Sequence, residues 1–167
     1  VKEKRWMWLW AVLVGAAALI GADQWTKALA VEANRQGGLP VPVIPGLLEF
    51  CYVENYAAAM GFFAGMIWLV VACTLLVSGV IVAALFLYKN HTVFSYLTCM
   101  LLLAGGLGNL WDRFHYGFVV DFIHVLFFPY VFNVADCCVT IGVVCFALHY
   151  ILEARREKAA LKATGEE

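Results

Sequence analysis

Charge is scarce in this chain, with 11 Lys and Arg and 12 Asp and Glu among 167 residues and a net charge of −1. The balance gives no basic surface that would suit nucleic acid. Ligand spacing for a metal is missing too: the six cysteines (Cys51, Cys73, Cys99, Cys137, Cys138 and Cys145) form no CxxC pair, and no His stands at a ligand spacing. That argues against a zinc site, and no metal or other cofactor is expected. Cysteine within apolar runs acts as a small hydrophobe. Internal repeats are also absent from the sequence. Their absence weakens one class of reading, the small ion- or proton-coupled transporter, whose halves commonly repeat.

What the chain does have is apolar residues, at 64% and a mean hydropathy of +0.85. Soluble domains are about 45–50% apolar, and a core of this size cannot hide the excess, so the bilayer must. A membrane helix needs roughly 20 mostly apolar residues. Four stretches qualify, at about 6–22, 66–88, 91–111 and 136–152, followed by a charged tail at 153–167. The expected fold is therefore an α-helical polytopic membrane protein of one domain, 1–167. The first stretch resembles a secretory signal, but its apolar core is longer than the usual 7–15 residues and three spans follow, so it is read as a retained helix.

Lys and Arg near span ends set the orientation. Lys2, Lys4, Arg5, Lys89, Arg155, Arg156 and Lys158 all fall on one side, which places both termini in the cytoplasm and the longer loops, about 23–65 and 112–135, outside. Lys27, Arg35 and Arg113 run against that trend. Two of the three have an acid at hand: Asp23 lies four residues before Lys27, and Asp112 adjoins Arg113. Paired charges are the expected form near a membrane, where unpaired ones are costly.

Polar residues at membrane-helix ends are candidates for function. Here they gather at one leaflet: Asp23, Gln24, Thr26 and Lys27 from the first span, Asn55 before the second, Asn109, Asp112 and Arg113 at the end of the third, and Asn133, Asp136 and Thr140 at the start of the fourth. Asp121 stands apart in the strand-like run Val119-Val120-Asp121-Phe122-Ile123, an apolar setting for a carboxylate. A short apolar link with Pro129 joins it to Asp136. Two carboxylates brought together share a proton and serve as base and acid toward an amide. Asp136 has a plainer reading as a first-turn acid favoured by the helix dipole. The small residues Gly105-Gly106-Leu107-Gly108 favour close helix approach, and no phosphate loop is indicated, because no strand precedes them and no Lys follows in place. Trp6, Trp8, Trp10, Trp25, Trp68 and Trp111 read as interfacial anchors.

Five blocks stand in order: Asp23-Gln24-Trp25-Thr26-Lys27, Asn55-Tyr56-Ala57-Ala58-Ala59, Gly105 to Arg113, Gly117-Phe118-Val119-Val120-Asp121-Phe122, and Phe132-Asn133-Val134-Ala135-Asp136. Together they resemble the motifs of bacterial lipoprotein signal peptidase. The resemblance implies an inner-membrane aspartic endopeptidase that removes the signal peptide of a diacylglyceryl-modified prolipoprotein, cutting before the lipidated Cys. It implies Asp121 and Asp136 as the catalytic pair and Asn55, Asn109, Arg113 and Asn133 as substrate-binding groups. Asp23, Lys27, Asp112 and Gly105 would support them. It further implies a small extracytoplasmic β-sheet and a short periplasmic helix, mapped to 31–54 and the loop after Arg113. Membrane lipid would be a neighbour, the cyclic peptide globomycin an inhibitor, and a monomer sufficient. Ala57 and Met60 replace the usual Gly and Phe of the second block, and the link between the two acids is short for the family.

Overall fold

The structure, a computed structural model, describes residues 2–56 and 66–164. Its elements in chain order are α1 (Lys2–Arg35), β1 (Val41–Ile44), β2 (Leu48–Asn55), α2 (Ile67–Leu87), α3 (Val93–His115), β3 (Val119–Val125), β4 (Val131–Phe132) and α4 (Val134–Thr164). Four segments are long and apolar enough to cross a membrane: Arg5–Arg35, Ile67–Leu87, Val93–His115 and Val134–Ala159. The protein is a multi-pass membrane protein with a small antiparallel sheet; the hydropathy pattern led us to expect the helices, and the family resemblance implied the sheet.

The sequence placed residues 23–35 in an outer loop; they are helical instead. The Asp23–Lys27 pair lies along the helix at i, i+4, so it continues α1 where a break was expected. At 34 residues, α1 is roughly 50 Å long, well beyond the ~30 Å hydrocarbon core. Its last turns meet β2 and β3. The helix stops where Gly37 takes φ +71 and the Gly38 N–H caps the Ala33 carbonyl at 2.9 Å, a stop that glycine makes without steric cost. Likewise α4 runs past the expected end of its span, through the charged tail to Thr164.

Helix α3 is the centre of the bundle and packs on α1, α2 and α4. Two glycines set how close its neighbours come. A Cβ on Gly105 would meet the Ala135 carbonyl oxygen and lie 2.6 Å from Val139 Cγ2, and one on Gly108 would lie 2.9 Å from Asp23 Oδ2. Apolar clusters fill the seam below: Leu9, Val12, Leu85, Tyr96 and Cys99, then Ala16, Leu103 and Ala104. Helix α2 buries only Val71, Ser78 and Leu85; the rest of its apolar surface suits lipid.

The sheet has strand order β1-β2-β3-β4, antiparallel throughout. It draws on 41–55 and 119–132, so the second half of the first mapped region and the loop after Arg113 both supply strands. Among the described residues no helix exists outside the four long ones. Ala57 and Met60 lie outside the described residues. The link from Asp121 to Asp136 is a hairpin, with Ile123 opposite Phe132 and His124 opposite Val131.

Candidate active site

The site begins with a buried cation. Lys27 on α1 is 3% exposed, and its Nζ meets three oxygens: Asp23 Oδ2 at 2.7 Å, Asp112 Oδ2 at 3.0 Å and Asn109 Oδ1 at 2.9 Å. An ammonium has three hydrogens to give, so this set saturates it. The two acids spend their other lone pairs on backbone and amide groups. Asp23 Oδ1 accepts from the Ala135 N–H at 2.8 Å, in the first turn of α4. Asp112 Oδ1 accepts from Gln24 Nε2 at 2.8 Å, and its Oδ2 from the Val120 N–H at 3.0 Å. One lysine thus ties α1, α3, α4 and β3 together. Asp112 finds its close ion partner in Lys27 rather than in its neighbour Arg113.

Above this node stands a layer of asparagines. Asn109 Oδ1 faces Lys27, which turns its Nδ2 toward Asp136 Oδ1 at 2.8 Å. Asn133 immediately precedes α4, and its Oδ1 accepts from the Asp136 N–H at 2.9 Å while Asp136 Oδ2 accepts from the Asn133 N–H at 3.3 Å. This is a reciprocal capping box, so the plainer reading of Asp136 as a first-turn acid also holds. Because its oxygen caps the helix, Asn133 must aim its Nδ2 outward. That group reaches Asp121 Oδ1 at 2.6 Å, Asn109 Oδ1 at 3.1 Å and the Val120 carbonyl at 3.3 Å. Asn133 is fully buried.

Asp121 comes from the sheet. It is 1% exposed and lies opposite Val53 in β2, with Asn55 two residues further along. Residues two apart share a sheet face, and Asn55 Nδ2 reaches Asp121 Oδ2 at 2.9 Å. Both carboxylate oxygens are therefore held. Strand β4 pairs only with Ile123 and His124, and Val120 bonds Asp112 and Asn133 side chains where a strand would otherwise lie. Burial pushes the Asp121 carboxyl up to about 6, the Asp136 charge adds to the rise, and the Asn55 and Asn133 hydrogen bonds oppose it. Arg113 donates from Nη1 to the Asn109 carbonyl at 3.1 Å and lies in the field of Asp136, Asp112 and Asp121.

The structure thus gathers Asp121, Asp136, Asn55, Asn109, Arg113, Asn133, Asp23, Lys27 and Asp112 at one end of the bundle. Gly105 serves the packing of α3 on α4 and makes no contact in this cluster. Sequence reasoning missed the Ala135 and Val120 backbone groups, which carry no side-chain signal, and the bond from Gln24 to Asp112.

Comparison with known proteins gives the family. The family model for signal peptidase (SPase) II matches residues 15–152. The chain belongs to the signal peptidase II family. It is 38% identical over 149 residues to a lipoprotein signal peptidase of Microcystis aeruginosa, covering 88% of this chain and 92% of that one. A lipoprotein signal peptidase of Streptococcus thermophilus is 39% identical over 142 residues, 83% of this chain and 90% of the other. Among solved structures, a bacterial membrane enzyme determined by the in meso method superposes with a TM-score of 0.76 at 28% identity, over 86% of this chain and 89% of that one. Membership in signal peptidase II makes the chain one of a peptidase family, and its fold is shared with the solved neighbour.

Proposed function

We propose that this protein is an aspartic endopeptidase that removes the signal peptide from diacylglyceryl-modified prolipoproteins, cutting before the lipidated Cys. The observation that carries the proposal is the pair of carboxylates, buried Asp121 and half-buried Asp136, linked through the Asn133 and Asn109 amides. Such a pair holds one proton between its two members. Asp121, buried and raised to about 6, carries it and gives it to the scissile carbonyl oxygen, which becomes a hydroxyl of the tetrahedral intermediate. Asp136 takes a proton from water as the water oxygen attacks the carbonyl carbon. When the C–N bond breaks, Asp136 passes that proton to the leaving nitrogen and Asp121 recovers its own from the intermediate hydroxyl.

Asn55, Asn109, Arg113 and Asn133 orient the pair and hold the substrate backbone. Asp23, Lys27 and Asp112 hold those groups in turn. One chain supplies both carboxylates, so a monomer suffices, and no cofactor takes part. The site opens at the outer leaflet of a bacterial inner membrane, both termini are cytoplasmic, and globomycin competes with substrate there.

The test is cleavage of a diacylglyceryl-prolipoprotein by the purified protein in detergent. Wild type is expected to cut before the lipidated Cys and to be blocked by globomycin, while Asp121→Asn and Asp136→Asn fold and fail. Near-full activity in either variant would remove the dyad from the mechanism. A wild type that never cuts would turn attention to cation transport.

A further inference from the structure

At the opposite end of the bundle lies a cleft that the carboxylate site does not use. Helices α2 and α4 each pack on α3 but scarcely touch one another. Between them is a cavity of about 520 Å³. Its floor is Ser95, Thr98, Cys99 and Leu102 of α3, and its walls are the α2 and α4 faces around Ala84 and Phe146.

The lining changes character along its length. From Leu102 and Phe146 it is apolar; toward the helix ends it becomes Tyr88, His91, His149, Glu153 and Glu157. The imidazoles are already engaged. His91 bonds Ser95 Oγ at 3.0 Å and the Leu85 carbonyl at 3.1 Å, and His149 bonds Thr92 Oγ1 at 2.9 Å. Both rings meet Tyr88 edge to face, at 5.2 and 5.8 Å. The charged groups lining the cleft, among the described residues, are Glu153, whose Oε1 accepts from Arg156 Nη1 at 2.8 Å, and Glu157, and Tyr88 lies in the field of both.

Phe146 to Glu157 on α4 spans roughly 16 Å, which is about half of a ~30 Å hydrocarbon core and so one leaflet. The apolar part of such a cleft loses contacts if it stays empty and offers water no partners. An acyl chain lying along α3 fills it. At the mouth, two carboxylates beside a tyrosine ring, Glu153 sharing its charge with Arg156 and Glu157 beyond it, match a primary ammonium, which is drawn both to acids and to an aromatic face.

We propose that this cleft binds one diacyl phospholipid with a primary-amine headgroup, its chain between α2 and α4 and its ammonium at Tyr88, Glu153 and Glu157. The site is separate from the carboxylate cluster, so the proposal stands whatever reaction that cluster performs.

The experiment is native mass spectrometry of the full chain after exchange in mixed micelles holding equal amounts of phosphatidylethanolamine and phosphatidylglycerol. One phosphatidylethanolamine per chain is expected to persist, preferred roughly fivefold, the scale of one exposed cation–π or ion-pair contact. Ala84→Trp, which puts an indole into the cleft, is expected to lose the bound lipid. The double variant Glu153→Gln/Glu157→Gln, toward the C-terminal end of α4, is expected to keep a lipid and lose the preference. Equal retention of the two lipids by wild type, or a preference for phosphatidylglycerol through Lys89 and Arg5, would overturn the proposal. So would a preference unchanged in the double variant, which settles the question even if the tryptophan variant does not fold.

Discussion

Asp121 is an acid whose neutral form the fold favours, and this has a consequence for stability. A folded-state value of about 6 against the ordinary 3.8 means that stability is fully present below about pH 4 and is lost as pH rises through 6. At about 1.36 kcal/mol per pH unit the loss reaches roughly 3 kcal/mol as an upper bound. The thermal midpoint of the wild type in detergent is therefore expected to fall between pH 4.5 and 7 through this residue, and Asp121→Asn to remove that part of the slope. A wild-type midpoint with the same pH slope as the variant would contradict the burial argument. At Asn133 one amide does two jobs, capping α4 and aiming at Asp121. Asn133→Ala should cost about 1 kcal/mol from the lost cap, and, if the proposed mechanism holds, about a hundredfold in turnover from misplaced carboxylates. Paired melting and cleavage assays separate the two effects.

Elements are held together here by a few close approaches rather than by broad apolar faces. Lys27 joins two acids and an asparagine from two helices, α1 and α3. Lys27→Met leaves Asp23 and Asp112 as buried charges without their cation, an expected loss of about 3–5 kcal/mol, readable as a collapse of the melting midpoint. Lys27→Arg is expected to rescue little, because a buried point charge between three oxygens does not fit a planar fork. The α3–α4 contact depends on the bare Cα of Gly105, since a methyl there would overlap Ala135 and Val139. Gly105→Ala should destabilise by about 1–3 kcal/mol, whereas Gly79→Ala, whose Cβ meets nothing within 4 Å, should be neutral or better. Equal melting points for the two alanine variants would show that the seam has slack.

For the whole molecule, four spanning segments return the chain to the side from which it started. With the basic residues of that side inside, a fluorescent protein fused after Glu167 is expected to fluoresce in intact cells, and a periplasmic phosphatase fused there to stay inactive. The reverse pair of results would invert the orientation and with it the leaflet of the carboxylate site. Such an arrangement puts the polar cluster at one surface and the α2–α4 cleft near the other. The molecule is divided across the membrane by its own hydrophobic belt.

Much of this was determined by composition and order alone. Uncharged runs of membrane length dictate helices, because a backbone in hydrocarbon must satisfy its own hydrogen bonds. Polar residues at their ends mark the site, because burying them without purpose is costly. Asp136, Asn55, Asn109 and Asn133 could all be named that way, and Asp121 by the apolar strand-like run around it. The extension of α1 through Asp23 and Lys27 could not, since two charges read as the end of a span until each is seen to neutralise the other. Nor could the partner of Asp112. Sequence adjacency pointed to Arg113, but the backbone carries Lys27 into place from 85 residues away in the chain. The direction of each asparagine amide, and hence which carboxylate it serves, follows from what holds its other end. Only the packed structure decides that, because an amide has two faces and the sequence records neither.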